Sequence, residues 1–157
     1  MTKLPYGLSG EIYRSPMPYS AFDPLGKLIE EFKEYQIHTV VVLNSKEECS
    51  FRTGEDLFQV YEEEGLQIIH CPIDDFDVPE LPILKELVRQ IKLTVDLGKH
   101  LNVHCFAGIG RTGLVLTCLA KIVFGISSQQ ALAWVRQFVP EAVQTELQWR
   151  MVQEFNL

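Results

Sequence analysis

The stretch VHCFAGIGRTG, residues 103–113, is the most informative part of this sequence about its fold. It follows Leu101 and Asn102, and its last residues RTG begin the run RTGLVLTCL, so a strand, a glycine-rich loop and a helix succeed one another. Ligands of open α/β sheets bind at the edge where strands end and helices begin. The stretch therefore predicts a strand–loop–helix unit with a binding loop at its tip.

Strands and helices alternate on either side of this unit. Runs rich in β-branched residues predict strands, at residues 11–15, 39–44, 66–73 and 101–105. Apolar residues at helical spacing predict helices over residues 25–32, 54–65 and 79–98. A further helix is predicted to begin at Arg111, and another to run from a capping box at Ser127 to Pro140. The last predicted helix ends near Phe155. We expect an α/β fold in a single domain over 1–157, with a central, mostly parallel sheet of about four to five strands flanked by helices.

Composition restricts the classes of partner. Of 157 residues 46% are hydrophobic and 22% are charged, and the formal net charge is −7. An acidic chain is not expected to bind nucleic acid or an anionic membrane through a general basic surface. The sequence shows no signal peptide and no membrane span, so we expect a cytoplasmic protein, and a monomer. The four cysteines form no CxxC pair, and we expect neither a metal site nor a cofactor. They are Cys49, Cys71, Cys105 and Cys118.

The residues of the quoted loop are suited to bind an anion. Gly108, Gly110 and Gly113 allow the loop to curl, so that successive backbone N–H groups point inward. The positive end of the following helix adds to this cradle. Arg111 supplies a planar donor for two oxygens of one phosphate. A cation and a helix N-terminus can lower a thiol pKa from about 8.5 to roughly 3.5–7.5, so Cys105 is predicted to be a thiolate that attacks phosphorus.

The sequence HCFAGIGRTG resembles the HCxxGxxR(S/T)G signature of the cysteine-dependent protein tyrosine phosphatases. The resemblance implies a phosphotyrosine-phosphatase-like fold and a phosphocysteine intermediate on Cys105. It implies that Thr112 assists departure of the thiolate, and that His104 supports the loop; a purely structural histidine is an equal alternative. The residues implied to bind phosphate are Phe106, Ala107, Gly108, Ile109, Gly110 and Arg111.

A proton donor is expected from a second segment, HCPIDDFDVP, which follows the third predicted strand. The segment is similar to that of the small dual-specificity branch, which includes the cyclin-dependent-kinase-associated phosphatases. That similarity implies Asp75 as the general acid, with Asp74 and Asp77 as alternatives.

Two further segments are weaker candidates. VQTELQ, residues 143–148, resembles the element that orients the hydrolytic water, which implies that role for Gln144 with support from Gln148; the alternative is the polar first turn of a surface helix. Glu48 and Arg52 belong to NSKEECSFRTGED, for which we favour a solvated loop over the rim of the site.

The variable loop positions indicate the substrate. Phe106, Ala107, Ile109 and Gly110 are uncharged, which disfavours polyphosphorylated inositols. Of these, the apolar side chains of Phe106 and Ile109 suit an aryl group. We expect a phosphorylated protein or peptide as the partner, with phosphotyrosine first and phosphoserine or phosphothreonine also accepted. The alternatives are a small-molecule, inositol or lipid phosphate as substrate, or a phosphopeptide-binding module without turnover.

Overall fold

A five-stranded sheet forms the centre of the molecule in the computed structural model, which describes residues 1–156. The strands lie in the order β1-β2-β5-β3-β4, and all neighbours are parallel except the pair β1 and β2. Their bounds are β1 Thr2–Leu4, β2 Ile12–Ser15, β3 Ile37–Val42, β4 Gln67–His70 and β5 His100–His104. The predicted α/β class and mostly parallel sheet are confirmed. Strand β1 was not predicted, because three residues with one buried side chain carry too little pattern.

Seven helices surround the sheet within residues 1–156. They are α1 Lys27–Glu34, α2 Lys46–Thr53, α3 Leu57–Glu63, α4 Leu81–Asp96, α5 Gly110–Phe124, α6 Ser128–Val135 and α7 Glu146–Glu154. The predicted capping box of α6 is present, although the helix ends at Val135 rather than at Pro140. No single one of these helices is long and apolar enough to cross a bilayer; only the bent pair α5 and α6 passes that test, by length and composition.

Helix α2 corrects the prediction of a solvated loop around Glu48. The Ser45 side chain accepts a hydrogen bond from the Glu48 N–H at 3.0 Å and so caps the first turn. Gly54 ends the helix in the left-handed conformation, with φ 74°. Only Cys49 of this helix is buried, so the apolar periodicity that reveals other helices was missing here.

Two apolar layers cover the sheet, because neighbouring residues of a strand point to opposite faces. Val41 packs with helices α4 to α7, whereas Val40 and Val42 pack with α1 to α3. Helix α5 is buried from Gly110 to Ala120, as its apolar circumference predicted. Far from its N-terminus, Phe124 joins an aromatic cluster with Tyr6, Trp134 and Phe138.

The parallel strands bring four chain segments to one edge of the sheet. Strand β2 is followed there by Pro16, β3 by α2, β4 by the loop 71–80 and β5 by the loop 105–109. We call residues 71–80 the acid loop and residues 105–109 the phosphate loop. All the predicted site segments except the start of α7 are therefore neighbours because of strand order alone.

Candidate active site

Cys105 is the first residue after β5 and is only 3% exposed. It lines a cavity of about 230 Å³. The other lining residues come from α2, the acid loop, the phosphate loop, the start of α5 and the region of α7: they are Arg52, Asp75, Phe76, Phe106, Ala107, Gly110, Arg111, Gln144 and Gln148. The cavity therefore collects most of the residues predicted for the site.

The backbone N–H groups from Phe106 to Thr112 have no backbone or side-chain acceptor within residues 1–156. These groups and the N-terminus of α5 together form a set of free donors, as an anion cradle requires. The loop is held from outside, because the Met17 N–H donates to the Phe106 carbonyl at 2.9 Å. Gly108 has φ 72°, and a Cβ there would lie 2.2 Å from the Ser15 carbonyl oxygen, so only glycine fits.

Arg111 is 2% exposed and its guanidinium is fixed by several acceptors. Its two terminal nitrogens donate to the two carboxylate oxygens of Glu48 at 2.7 and 2.9 Å, and Nη1 also donates to the Ile73 carbonyl at 2.9 Å. Burial alone would lower the pKa of Arg111, but the hydrogen-bonded Glu48 carboxylate, together with the neighbouring Cys105 and Asp75 side chains, outweighs it, and the pKa is raised. The prediction that Glu48 belongs to a solvated loop is therefore wrong: Glu48 orients the arginine of the cavity.

Asp75 is the only acid-loop aspartate that lines the cavity within the described chain. Its carboxylate lies 3.2 Å from Nη2 of Arg111, and the side chain is 46% exposed. Asp74 accepts the Asp77 N–H through its backbone carbonyl, and the Asp77 carboxylate caps the Val78 N–H. Geometry thus favours Asp75 over the two alternatives.

The turn before α7 holds Gln144 above the start of α5. Val143 adopts φ 62°, a strained backbone conformation for a β-branched residue. The Gln144 side-chain oxygen would lie 2.5 Å from a Cβ at Gly110, so the two are in close contact. The Gln148 side chain is buried and its oxygen accepts the Gln144 N–H at 2.8 Å. Both glutamines line the cavity, Gln148 as a buried side chain and Gln144 as an exposed one.

Thr145 connects this turn to the acid loop, and sequence reasoning missed it. Its hydroxyl donates to the Phe76 carbonyl at 3.2 Å and accepts the Gln148 N–H at 3.1 Å. Phe76 itself has φ 64° and lies beside Asp75. The first turn of α7 thus fixes the strained residue that follows the candidate acid.

His104 lies behind Cys105 and is fully buried. Its Nδ1 lies 3.2 Å from the Cys105 carbonyl and its Nε2 lies 2.8 Å from the Tyr61 hydroxyl. Burial lowers the pKa of His104 to about 4, so the ring is neutral at pH 7. Since a carbonyl only accepts, Nδ1 carries the proton and the Tyr61 hydroxyl donates to Nε2. His104 therefore connects the first residue of the phosphate loop to Tyr61, a residue that the sequence did not indicate.

Thr112 and Ile109 differ in their surroundings. The Thr112 hydroxyl, in the first turn of α5, is buried and has no hydrogen-bond partner within residues 1–156. The Ile109 side chain packs on the α4–α7 side of the core and does not line the cavity. The expectation that the Ile109 side chain suits an aryl group in the cavity is therefore wrong.

Arg52 is exposed, as expected of a solvated segment, but it lies on α2 and lines the cavity, as the alternative of a rim position implied. Its guanidinium lies over the Phe106 ring, 4.1 Å from the ring centroid. The Phe106 ring also makes an edge contact with the Phe22 ring, with 5.1 Å between the ring centroids. Arg52, Phe106 and Phe22 thus form one wall at the mouth of the cavity, which we call the aromatic wall.

The remaining thiols have different surroundings. Burial raises the pKa of Cys49 to about 12 and also raises the pKa of Cys71 and of Cys118. All four cysteines are free, and Cys105 alone among them lines the cavity within the described residues. The part of the chain that the structure describes holds no group of three or more residues suited to a metal ion.

Comparison with known proteins assigns the class that this fold and cavity define. The fold resembles kinase associated phosphatase with a serine in place of its catalytic cysteine, with a TM-score of 0.88, 24% identity and coverage of 98% of this chain and 91% of that one. It also resembles Tk-PTP in its active form, with a TM-score of 0.80, 29% identity and coverage of 98% and 95%. A mutant form of Tk-PTP is 32% identical, covering 91% and 87%. The class is that of the protein tyrosine and dual-specificity phosphatases.

The family is shown by sequence as well. Residues 19–124 match the family model described as "Tc-R-P: Polymorphic toxin system, DSP-PTPase phosphatase", and the chain belongs to this family. Cyclin-dependent kinase inhibitor 3 of Rattus norvegicus is 30% identical over 129 residues, which cover 81% of this chain and 61% of the relative. Protein tyrosine phosphatase domain-containing protein 1 of Danio rerio is 29% identical, over 82% of this chain and 19% of the relative. The chain thus spans about three fifths of the first of these relatives.

Proposed function

We propose that this chain hydrolyses phosphate monoesters on proteins, with phosphotyrosine preferred, through a phosphocysteine intermediate. The observation that carries the proposal is the cavity itself. Cys105, the free amides of residues 106–112 and the oriented guanidinium of Arg111 lie together, and Asp75 faces them. The amides and the guanidinium supply positive charge to phosphate oxygens, so the chemistry requires no metal.

In the first step the Cys105 thiolate attacks phosphorus, and the bond from phosphorus to the ester oxygen breaks. The Asp75 carboxyl gives its proton to the departing oxygen, which leaves as a neutral alcohol or phenol. Arg111 and the loop amides bind the oxygens of the transferring phosphoryl group throughout. The product of this step is phosphocysteine, with Asp75 as the carboxylate.

In the second step a water attacks the phosphocysteine and releases inorganic phosphate. Asp75, now a carboxylate, accepts a proton from that water, and Gln144 orients it from above Gly110. The free Thr112 hydroxyl donates to the sulfur as the thiolate departs. Asp75 thereby recovers the proton that the first step used, and the cycle closes.

A protein substrate is supported by the relatives and by the aromatic wall. The names of two of the similar proteins, cyclin-dependent kinase inhibitor 3 and kinase associated phosphatase, refer to kinases, and phosphorylated proteins are the natural class to test. Phe106 offers an apolar ring at the cavity mouth, where it can contact a tyrosyl ring.

The proposed function is tested by turnover of an aryl phosphate and of a phosphotyrosine peptide. Cys105→Ser should abolish turnover and retain peptide binding. Asp75→Asn should lower kcat by roughly 10²–10⁴, whereas Asp74→Asn, the matched control outside the cavity, should retain kcat. Vanadate should inhibit, and a chelator should have no effect.

Two results would contradict the proposal. Turnover retained in Cys105→Ser would exclude the cysteine as the nucleophile. A wild-type chain that binds phosphopeptide without releasing phosphate would instead be a phosphopeptide-binding module.

A further inference from the structure

Arg52 is an exposed guanidinium whose position is fixed by its surroundings. It lies on α2, the same helix from which Glu48 binds Arg111, and its guanidinium lies over the Phe106 ring. Within residues 1–156 no carboxylate pairs with it and no protein oxygen accepts its hydrogen bonds. Stacking uses one face of the guanidinium and leaves the N–H donors at its edge free. Arg52 is therefore held in place with its donors unused.

Other arginines of the chain are occupied or lie elsewhere. Arg89 and Arg150 pair with glutamates on their own helices, and Arg136 donates to the carbonyls of Ala142 and Val143. Arg14 is not a lining residue of the cavity. Arg111 is already shared between Glu48 and Asp75. Two arginines, Arg52 and Arg111, line the cavity. Within the described residues, only Arg111 forms an ion pair with a carboxylate.

The place of Arg52 indicates what it would contact. Arg111 and the loop amides surround Cys105, so they are the donors for the phosphoryl group that reacts. Arg52 lies over the Phe106 ring, and both residues line the same cavity as Cys105. A group bound by Arg52 would therefore belong to the part of a substrate that remains outside the phosphate loop.

Resting on the proposed function, we propose that Arg52 and the Phe106 ring form a subsite for an acidic side chain next to the phosphorylated residue. The substrate class is a phosphopeptide with aspartate, glutamate or a second phosphorylated residue as the neighbour. A guanidinium binds a carboxylate or phosphate through two parallel hydrogen bonds, and its stacking on Phe106 lowers the entropy that this binding costs.

A peptide fits this mouth better than an inositol carrying several phosphates. The exposed rings of Phe22 and Phe76, at 57% and 59%, provide apolar contacts for the flanking residues of an extended chain. A polyphosphorylated ring would place several anions near the mouth, where Arg52 offers one cation and Glu48 and Asp75 add negative charge.

The test compares phosphotyrosine peptides that carry aspartate or alanine directly before or directly after the phosphotyrosine. The ratio of kcat/KM for the acidic peptide over its alanine partner is measured in each enzyme, so that each enzyme is its own reference. Of the two aspartate positions, the one that reaches Arg52 should give the larger ratio. At low salt this ratio of kcat/KM should be roughly two to five, the range expected for a partly exposed ion pair. Arg52→Gln should bring this ratio to about one, whereas Arg52→Lys should retain part of it.

Two controls belong to the experiment. Arg89→Gln removes an exposed arginine outside the cavity lining and should retain the preference. Salt of roughly 1 M, which shortens the Debye length to ~3 Å, should reduce the preference of the wild type. The affinity ratio of the same peptides is also measured in the Cys105→Ser background, with and without Arg52→Gln, since binding does not require turnover.

The outcomes separate this inference from the proposed function. An acidic preference that Arg52→Gln leaves intact, or no preference in either measurement, would overturn the subsite. A diphosphorylated inositol whose affinity falls more than that of the acidic peptide upon Arg52→Gln would also overturn it. A chain that binds acidic peptides through Arg52 but releases no phosphate would overturn the proposed function and leave the subsite standing.

Discussion

Arg111 shows how one residue depends on a partner distant in sequence. Its guanidinium is nearly inaccessible, and both terminal nitrogens are held by Glu48, which lies on another helix. Without a ligand, the buried positive charge is balanced by this carboxylate and by Asp75. Glu48 and Asp75 thus fix the guanidinium in the geometry that we propose for phosphate binding.

Replacing Glu48 with Gln should both destabilise the fold and weaken catalysis. One acceptor and the negative charge are lost, and the Arg111 guanidinium stays buried, so the free energy of unfolding should fall by about 2 kcal/mol, somewhat less than for a fully buried pair. The value of kcat/KM for an aryl phosphate should fall as well, because the guanidinium is no longer oriented. Denaturant unfolding and steady-state kinetics measure the two effects.

Glu47→Gln is the matched control, because Glu47 is exposed on the same turn of α2. Equal effects of the two substitutions would contradict the role given to Glu48. The sequence could not distinguish them. Three acidic or basic residues surround Glu48 in NSKEECSFR, and only the packing of α2 against the phosphate loop selects the one that reaches Arg111.

At the scale of elements, the start of α7 holds the acid loop. The Thr145 hydroxyl binds the Phe76 carbonyl, and the Gln148 side chain reaches toward the Asp77 carbonyl at 3.5 Å. Phe76 has a left-handed backbone conformation that a non-glycine residue adopts at a cost of roughly 1–3 kcal/mol. The hydrogen bonds from α7 offset part of that cost in the arrangement that keeps Asp75 beside Arg111.

Thr145→Val should therefore impair proton donation more than phosphate binding. We expect kcat for a phosphotyrosine peptide to fall roughly tenfold, a part of what general acid catalysis contributes. An activated aryl phosphate, whose leaving group needs little protonation, should lose much less. Thr145→Ser keeps the hydroxyl and should behave as the wild type. A uniform loss across both substrates would indicate a structural role for Thr145 only.

What the sequence predicted at this scale depended on whether the signal was local. The phosphate loop and α5 are adjacent in sequence, so their residues were identified together. Gln144 was identified only by resemblance, because strand and helix periodicity do not place α7 next to a loop that lies about 70 residues earlier. The contact of Thr145 with Phe76 is tertiary and leaves no mark in the local pattern.

At the scale of the whole molecule, two apolar layers cover one sheet. His104 is buried within this structure in its neutral form. Burial lowers the pKa of His104 to about 4, from an ordinary value near 6.5. Between these values the unfolded chain binds a proton that the folded chain does not. The free energy of unfolding should thus be highest above about pH 6.5 and fall as the pH decreases toward 4.

This loss should amount to about 3 kcal/mol for His104, at about 1.4 kcal/mol per pKa unit. Denaturant unfolding at several pH values measures it, and His104→Asn should flatten the profile between pH 6.5 and 4. His38→Asn, which removes a half-buried histidine, should retain most of the slope. An unchanged slope in His104→Asn would contradict the assignment. The lowered pKa of Glu48 acts at lower pH, where protonation of its carboxyl removes a further contribution.

The sheet could be predicted at this scale, but its edges could not. The predicted strands at 39–44 and 101–105 are apolar on both faces, which is typical of a parallel sheet covered by helices, and β3 and β5 are neighbours in the interior of the sheet. Strand β1 pairs with β2 through backbone hydrogen bonds, which any sequence can make. The side chains of its three residues therefore show no pattern that predicts a strand.

Helix α5 connects the cavity at its N-terminus to the aromatic cluster around Phe124 at its C-terminus, and a separate spectroscopic signal can report on the cluster. Its N-terminus adjoins the cavity, and some fifteen residues later Phe124 packs on Trp134 with 4.8 Å between ring centroids, a helical length of roughly 22 Å. In a chain with Trp149 replaced by Phe, the emission of Trp134 would report the opening of the aromatic cluster. It would give a spectroscopic signal of denaturation that ligand titrations do not disturb.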